Sequence, residues 1–454
     1  MKNRFTLILF FLPLLVVAQM SSPISGVPEA GMLPAFNNPA ALQIPKDTKW
    51  TANLLTVNAW GNANTGSLSV KDFSQLNVDL LRSHILGTAL ISTGSGGFEI
   101  KGPSAAFRLN KKLVLGFSTE VRLLANYWEV NGRLVSEVGE ITKAEQAYPY
   151  AIQGNENMRM NTAVYSSIGT MLNYELWKND RHALYTGLAL KYINGTAHTS
   201  LEVLNIDGIL NLDPNKASYL TAATGQVSTL TSGHLLDKVN AGNLFKPRKG
   251  SVSGDIGVEY RFSDGPDKSP KLRLGLSVTD IGQVRYQSDS NFSKSYNITI
   301  PANDRLYFNN NFNNSSFSHT AEVFDTYPRL FQKTSTSRGD YKIQLPTKLL
   351  IQVDYKVCSK LSINANATIG LTPKKRIEKL YSYSGFNLTP RWTAKDFVIF
   401  LPLSYYEYAG FNAGIGLKYR SVFIASNSAL SLLVSKPRQI DLSFGILLNI
   451  KKPN

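Results

Sequence analysis

The stretch from Lys348 to Leu371 constrains the fold more than any other. Leu349, Ile351, Val353, Tyr355 and Val357 fall on every second position, with Lys348, Gln352, Asp354 and Lys356 between them. Only Leu350 breaks the alternation. After Cys358-Ser359-Lys360 the pattern restarts, with Leu361, Ile363, Ala365, Ala367, Ile369 and Leu371 on one side. Ser362, Asn364, Asn366, Thr368 and Gly370 occupy the other. Successive side chains of a strand leave opposite faces, so this period of two predicts two strands of about 10 residues joined by a tight turn. One face must meet apolar surroundings and the other a wet space. Repeated along a chain, such strands predict an all-β fold, a transmembrane antiparallel β-barrel.

The pattern does repeat. Leu113, Leu115, Phe117, Val121 and Leu123 alternate with Gly116, Ser118, Glu120 and Arg122. Ile168, Leu172, Tyr174 and Leu176 lead through the turn Lys178-Asn179-Asp180-Arg181 to Leu184, Thr186, Leu188, Leu190 and Tyr192. Ile256, Val258, Tyr260 and Phe262 form another hairpin with Leu272, Leu274, Leu276 and Val278 across Ser263-Asp264-Gly265-Pro266. A last strand runs from Ile440 to Ile450. Roughly 12 to 16 strands satisfy the alternation. Charged Glu120 and Arg122 on the minority face predict an aqueous or hydrogen-bonded interior. Tyr174, Trp177, Tyr185 and Tyr192 gather at strand ends, as aromatic girdles do. The alternative is a soluble β-sandwich, whose half-buried strands alternate too.

Two stretches break the rhythm. Residues 196–251 and 287–340 are predicted to be long extracellular loops, the first carrying short helices. Within the second, Phe312 lies inside an Asn-rich run that Phe308 and Phe317 flank, and the three either face a ligand or partner or pack the loop. Leu76, Leu80, Leu81, His84 and Ile85 suggest one face of a short helix. Gly94-Ser95-Gly96-Gly97 reads as a flexible turn, because no GK[ST] or dinucleotide spacing accompanies it.

The N-terminus reads as a secretion signal over residues 1–18. Lys2 and Arg4 precede the apolar run Phe5 to Val17, and Val16-Val17-Ala18 offers small residues for cleavage before Gln19. Beyond it no apolar run approaches the 20 or so residues of a membrane helix. Residues 19–46, rich in Pro, Gly, Ala and Asn, form a lead-in that is short and poor in large apolar residues, and the barrel occupies 47–454. Cys358 is the single cysteine, so no internal disulfide is expected. The net charge of +16 suits an anionic partner such as the lipids of an outer membrane. Its lysines and arginines are scattered singly, which points away from nucleic acid.

Little in the chain suggests catalysis. His84, His182, His198, His234 and His319 show no metal-ligand spacing, and no G-x-S-x-G elbow occurs. Asp354 and Glu175 fall on different strands. The expectation is therefore a protein that is not an enzyme, with no cofactor and no metal.

Asn38-Pro39-Ala40 resembles the NPA element of the FadL-type long-chain fatty-acid transporters and their relatives, which include the PorV-like outer-membrane proteins of type IX secretion. Leu345-Pro346-Thr347-Lys348-Leu349, Asn412-Ala413-Gly414-Ile415-Gly416-Leu417 and Asp441-Leu442-Ser443-Phe444-Gly445-Ile446 resemble a FadL-like barrel family of unknown function in Gram-negative bacteria. The resemblance implies a 14-stranded barrel in the outer membrane with an N-terminal hatch containing Asn38, Pro39 and Ala40. It implies capture of small hydrophobic ligands near the extracellular loops and their release through a lateral opening. A PorV-like relative would instead serve as a scaffold or shuttle for secreted or surface proteins. A third reading, an enzyme acting on membrane lipids, requires a nucleophile and a base at one lipid-exposed spot.

Overall fold

The computed structural model describes residues 24–451 apart from 25–26, 28–29, 45–47, 66–90, 135–146, 234–248, 266–268, 309–319 and 375. The expected signal segment, the helix expected around Leu76 to Ile85, and Phe312 and Phe317 lie outside the described residues. In chain order the strands begin with β1 (Thr48–Ala63), β2 (Ile91–Lys101), β3 (Ser104–Arg108), β4 (Leu113–Asn131) and β5 (Tyr150–Lys178). There follow β6 (His182–Leu212), β7 (Ser218–Ser232), β8 (Ser251–Phe262), β9 (Leu272–Gln287), β10 (Lys294–Ile300) and β11 (Leu306–Tyr307). Next come β12 (Phe331–Thr336), β13 (Asp340–Gln344), β14 (Lys348–Lys356), β15 (Leu361–Gly370), β16 (Gly385–Thr393) and β17 (Phe397–Phe400). The last are β18 (Leu403–Tyr406), β19 (Gly410–Ala413), β20 (Ile415–Tyr419), β21 (Val422–Ser426) and β22 (Gln439–Lys451).

These strands make a closed antiparallel ring of 14 staves. Three staves are each built from two pieces: β2 with β3, β17 with β18, and β19 with β20. β22 returns to β1, with Trp60 opposite Asp441 and Thr51 opposite Asn449, so the sheet has no open side. Leu188, Leu190 and Tyr192 point outward at 45, 54 and 47% exposure, while Ala189 and Lys191 between them are buried in the interior. The expected hairpin behaves in the same way, with Ile351 and Tyr355 outward and Asp354 inward. Oily side chains face out and polar ones face in, which is the reverse of a sandwich. The β-sandwich alternative is therefore excluded.

The two ends of the ring differ. At one end lie the start of β1, the finish of β22, and the connections 109–112, 179–181, 263–271, 357–360, 394–396 and 420–421. At the other, β5 and β6 run to 29 and 31 residues, where about 9–11 suffice to cross a bilayer. Their surplus rises beyond the ring. β6 pairs with β8 up to Ile193 and with β7 from His198 onward, so the sheet leaves the cylinder there. β7, β10 and β12 continue it, and a short helix (α1, Thr320–Thr326) packs Phe324 on Phe331 and Tyr296.

Here the structure differs from the sequence reading. Much of 196–251 and 287–340 is strand, and the short helices expected in the first stretch are not found among its described residues. Shifts of register around Leu204–Ile209 disturb the period of two. The apolar face is completed only by distant Tyr296, Ile298 and Phe331, so local pattern could not reveal it.

Candidate functional site

The interior of the ring is stoppered at its short-turn end by the chain's own N-terminal segment. The segment forms two single turns, Leu33–Phe36 and Pro39–Ala41, with Pro34 second in one and Pro39 first in the other, positions in the first turn of a helix where the missing N–H of proline is not needed. The Asn38 side-chain oxygen caps the second turn, accepting from the Ala40 N–H at 3.0 Å. Its amide then donates to the Val258 carbonyl at 3.1 Å. Asn173 Nδ2 donates to the Ala40 carbonyl at 2.6 Å, and Ser277 Oγ to that of Asn37 at 2.7 Å. The wall makes room with three glycines. A Cβ on Gly187 would stand 2.1 Å from the Ala40 nitrogen, and one on Gly257 only 2.0 Å from Asn38 Oδ1. At Gly275 it would meet Asn38 Nδ2 at 3.0 Å. Asn38, Pro39 and Ala40 are thus seated together in a glycine socket on β6, β8 and β9.

The segment is less polar in effect than its composition suggests. Ile24, Met32, Leu33, Phe36, Leu42 and Ile44 are all buried, in one cluster with Val398, Phe400, Phe423 and Leu447 of the opposite wall. These few apolar side chains reach across the lumen because the ring is narrow enough for one segment to touch both walls.

Next to the plug lies a belt of buried charge. Lys101 Nζ stands 5.4 Å from the Phe36 ring and 2.9 Å from Glu99. Arg122 contacts Glu120 at 3.0 Å and Asp280 at 2.8 Å, and Lys191 contacts Asp255 at 2.7 Å. Asp280 has a left-handed backbone (φ 59°), held by its N–H donating to Asp255 Oδ1 at 2.7 Å. At that residue β9 leaves β14 and turns toward β13. Mutual pairing of this kind is what a buried charge requires. Elsewhere in the lumen Asp354 pairs with Arg391 at 2.8 Å, and Glu175 accepts from Tyr185, so the two carboxylates are not brought together.

A second closure spans the long-strand end. The connection 371–384 folds inward from β15 and crosses the mouth. The Leu380 N–H donates to the Gln344 carbonyl at 2.9 Å, and Asn161 Nδ2 to that of Ile377 at 2.7 Å. Tyr383 donates its hydroxyl to the Gly94 carbonyl at 2.6 Å and Tyr381 to that of Tyr127 at 3.1 Å. Leu380 of this connection is buried in one cluster with Leu345, Tyr286 and Tyr406 beneath it. His198 is enclosed there too, its ring nitrogens 2.8 Å from the Tyr341 hydroxyl and 2.9 Å from Asn161 Oδ1. Sequence reasoning missed this cap. Its one signal was the pair Tyr381 and Tyr383 in a stretch without alternation.

The remaining expected site residue is Phe308. It is 3% exposed, inside the core of the raised sheet with Phe324 and Phe331. Among the described residues no three His, Cys, Asp or Glu side chains converge as metal ligands would.

A family model described as a family of unknown function, DUF5723, matches residues 39–427. The chain belongs to that family. In this DUF5723 member the matched span opens at Pro39, inside the plug, and takes in nearly all of the ring. No curated protein matches the sequence. Among solved structures, the chain is similar to a FadL homologue of Pseudomonas aeruginosa, at 11% identity and TM-score 0.44 over 95% of this chain and 98% of that one. It is also similar to the toluene transporter TodX of Pseudomonas putida, at 9% identity and TM-score 0.42 over 93% and 95%. The translocator domain of the autotransporter NalP from Neisseria meningitidis follows at 7% identity and TM-score 0.32 over 88% of both chains. Likeness at this level says nothing of what this DUF5723 member binds.

Proposed function

We propose that this protein is an outer-membrane channel that passes small hydrophobic compounds inward, with the N-terminal plug as its hatch. One observation carries the reading. The stave is kinked between β2 and β3 at Gly102-Pro103, where the ladder is held by single bonds, from Gly102 N–H to the Thr119 carbonyl at 2.8 Å and from Asn53 Nδ2 to the Lys101 carbonyl at 3.0 Å, and Lys101, just before the kink, lies against Phe36 of the plug. Leu54 and Leu55 of β1 lie beside the same kink and are both exposed on the outside. On this reading a hydrophobic compound reaching the plug leaves toward lipid by parting the wall at this kink, without having to pass the short-turn end. Transport through this route needs no catalytic group. The test is uptake of a fluorescent hydrophobic probe by cells that lack the protein and by cells that regain it. Faster uptake on regain is the expected result, and equal uptake in both overturns the channel reading.

A second reading is favoured by the raised sheet. That sheet has its own buried core, with Tyr296, Phe324 and Phe331 at its centre, and stands clear of the lumen. A scaffold or shuttle for secreted or surface proteins would use such a platform. Crosslinking in the outer membrane followed by pull-down would return secretion components on this reading, and none on the channel reading.

A further inference from the structure

Where the cap meets the rim, three aromatic rings surround one ammonium. Trp128 comes from β4, Tyr383 from the cap, and Tyr408 from the turn between β18 and β19. Lys374 Nζ stands 5.9 Å from the Trp128 ring, 5.9 Å from Tyr383 and 5.5 Å from Tyr408. It also donates to both carboxylate oxygens of Glu407. The rings meet nearly at right angles, Trp128 with Tyr408 at 86° and Tyr383 with Tyr408 at 81°. They form adjacent walls of a box.

We propose that this box is a binding site for an organic ammonium ion, with Lys374 as its internal stand-in while the cap is closed. Three observations support it. Other cation–ring contacts among the described residues are to a single ring, from 4.3 Å for Arg133 over Tyr150 to 5.4 Å for Lys101 over Phe36, whereas Lys374 faces three rings at once. In the box the ammonium is drawn toward Glu407 and stands near the limit of about 6 Å for attraction to a ring. The rings thus enclose more room than a bare ammonium fills, and methyl groups on the nitrogen would occupy it. Next, the backbone is left-handed at Tyr408 of the box (φ 62°) and at Glu129 (φ 51°), the chain neighbour of Trp128. Strain of this kind is retained where side chains must be aimed. Finally, the buried Trp128 Nε1 has no hydrogen-bond partner, so the indole is held for its face and not for its N–H.

Lys374 belongs to the connection that closes the lumen through Leu380, Tyr381 and Tyr383. An external cation that takes its place removes one anchor of the cap. Binding to the box and passage through the lumen are separable, because the first can be read on purified protein without any transport.

The test uses the full-length protein in detergent and tetramethylammonium chloride as probe, with sodium chloride at equal ionic strength as the control. Lys374→Gln should bind the probe at least tenfold more tightly than the unaltered protein by calorimetry. The double variant Lys374→Gln with Trp128→Ala should lose that gain. Equal affinity in Lys374→Gln and the unaltered protein, or binding that survives loss of Trp128, overturns the proposal. Folding is checked by heat-modifiable gel mobility. Should Lys374→Gln fail that check, hydrogen exchange on the unaltered protein decides. Saturating probe should speed exchange of the Leu380 to Tyr383 amides, and no change relative to sodium chloride overturns the site.

Discussion

Arg122 and Asp280 meet across the lumen. Their Nη1 and Oδ2 atoms lie 2.8 Å apart, although β4 and β9 are separated in the ring by β5, β6 and β8. Each side chain is almost wholly buried, and each has further charged neighbours, Glu120 beside Arg122 and Lys191 beside Asp280. The contact works as a tie-rod between two parts of the wall.

Arg122→Ala leaves the Asp280 carboxylate buried without its main partner, and loss of one member of a buried pair costs about 3–5 kcal/mol. The expected outcome is a lower melting temperature for the barrel, read by heat-modifiable mobility. Replacing both members with apolar residues of similar size, Arg122→Met with Asp280→Leu, should recover part of the loss. A single variant as stable as the parent would show that the interior is wet enough to resolvate the carboxylate.

Gly257→Val places side-chain atoms where Asn38 Oδ1 now sits, and Gly187→Val does the same at the Ala40 nitrogen. Either change should push the plug from its socket while leaving the ring closed. Cells carrying such a variant should become more sensitive to bulky hydrophobic antibiotics, with the barrel still showing folded mobility. An unchanged antibiotic response in a folded variant would mean that the socket does not hold the stopper.

Cys358 lies exposed in the 357–360 turn, at the end that carries the short connections. Short turns of outer-membrane barrels face the periplasm. A membrane-impermeant maleimide should therefore miss Cys358 in intact cells and label it once the outer membrane is opened. Backbone hydrogen bonds from Lys360 and Leu361 hold the thiol below its usual range. The thiolate is the reactive form. The labelling rate should accordingly rise with pH at a midpoint below that of an ordinary cysteine thiol.

Asp325 tests the raised sheet in a similar way. Partial burial pushes its carboxyl upward, but hydrogen bonds from Lys294 and Tyr296 and the charge of Lys333 outweigh this and lower it. A group depressed by folding stabilises the folded form above its unfolded value, and that contribution is lost as pH falls through the folded value. Acidification should loosen the α1 contact, and Asp325→Asn should abolish that pH dependence. The side chain is 35% exposed and screened by water, so the effect should stay below about 1 kcal/mol. Hydrogen exchange of the Phe331 to Thr336 amides, compared on either side of the transition, checks it.

The fold was legible because a barrel wall has one rule, lipid on one side and an enclosed space on the other. That rule writes itself residue by residue into β4, β8, β14 and β22. Leu350 is instructive as the exception: it breaks the alternation in sequence and is 2% exposed inside the ring. Asn38-Pro39-Ala40 was legible as a motif, and Glu120 and Arg122 as signs of a polar interior. What occupies that interior was not, since no local period connects Asn38 with Gly257, Arg122 with Asp280, or Lys374 with Trp128.

Alternating solvation thus determined by itself that this chain makes long strands, and roughly how many. Only the tertiary structure decided that the cylinder is stoppered at one end and capped at the other, and that 196–232 climbs as sheet. The physical reason is reach. Facing water or lipid is a property each residue carries alone, whereas filling a lumen depends on side chains from opposite walls arriving at the same point.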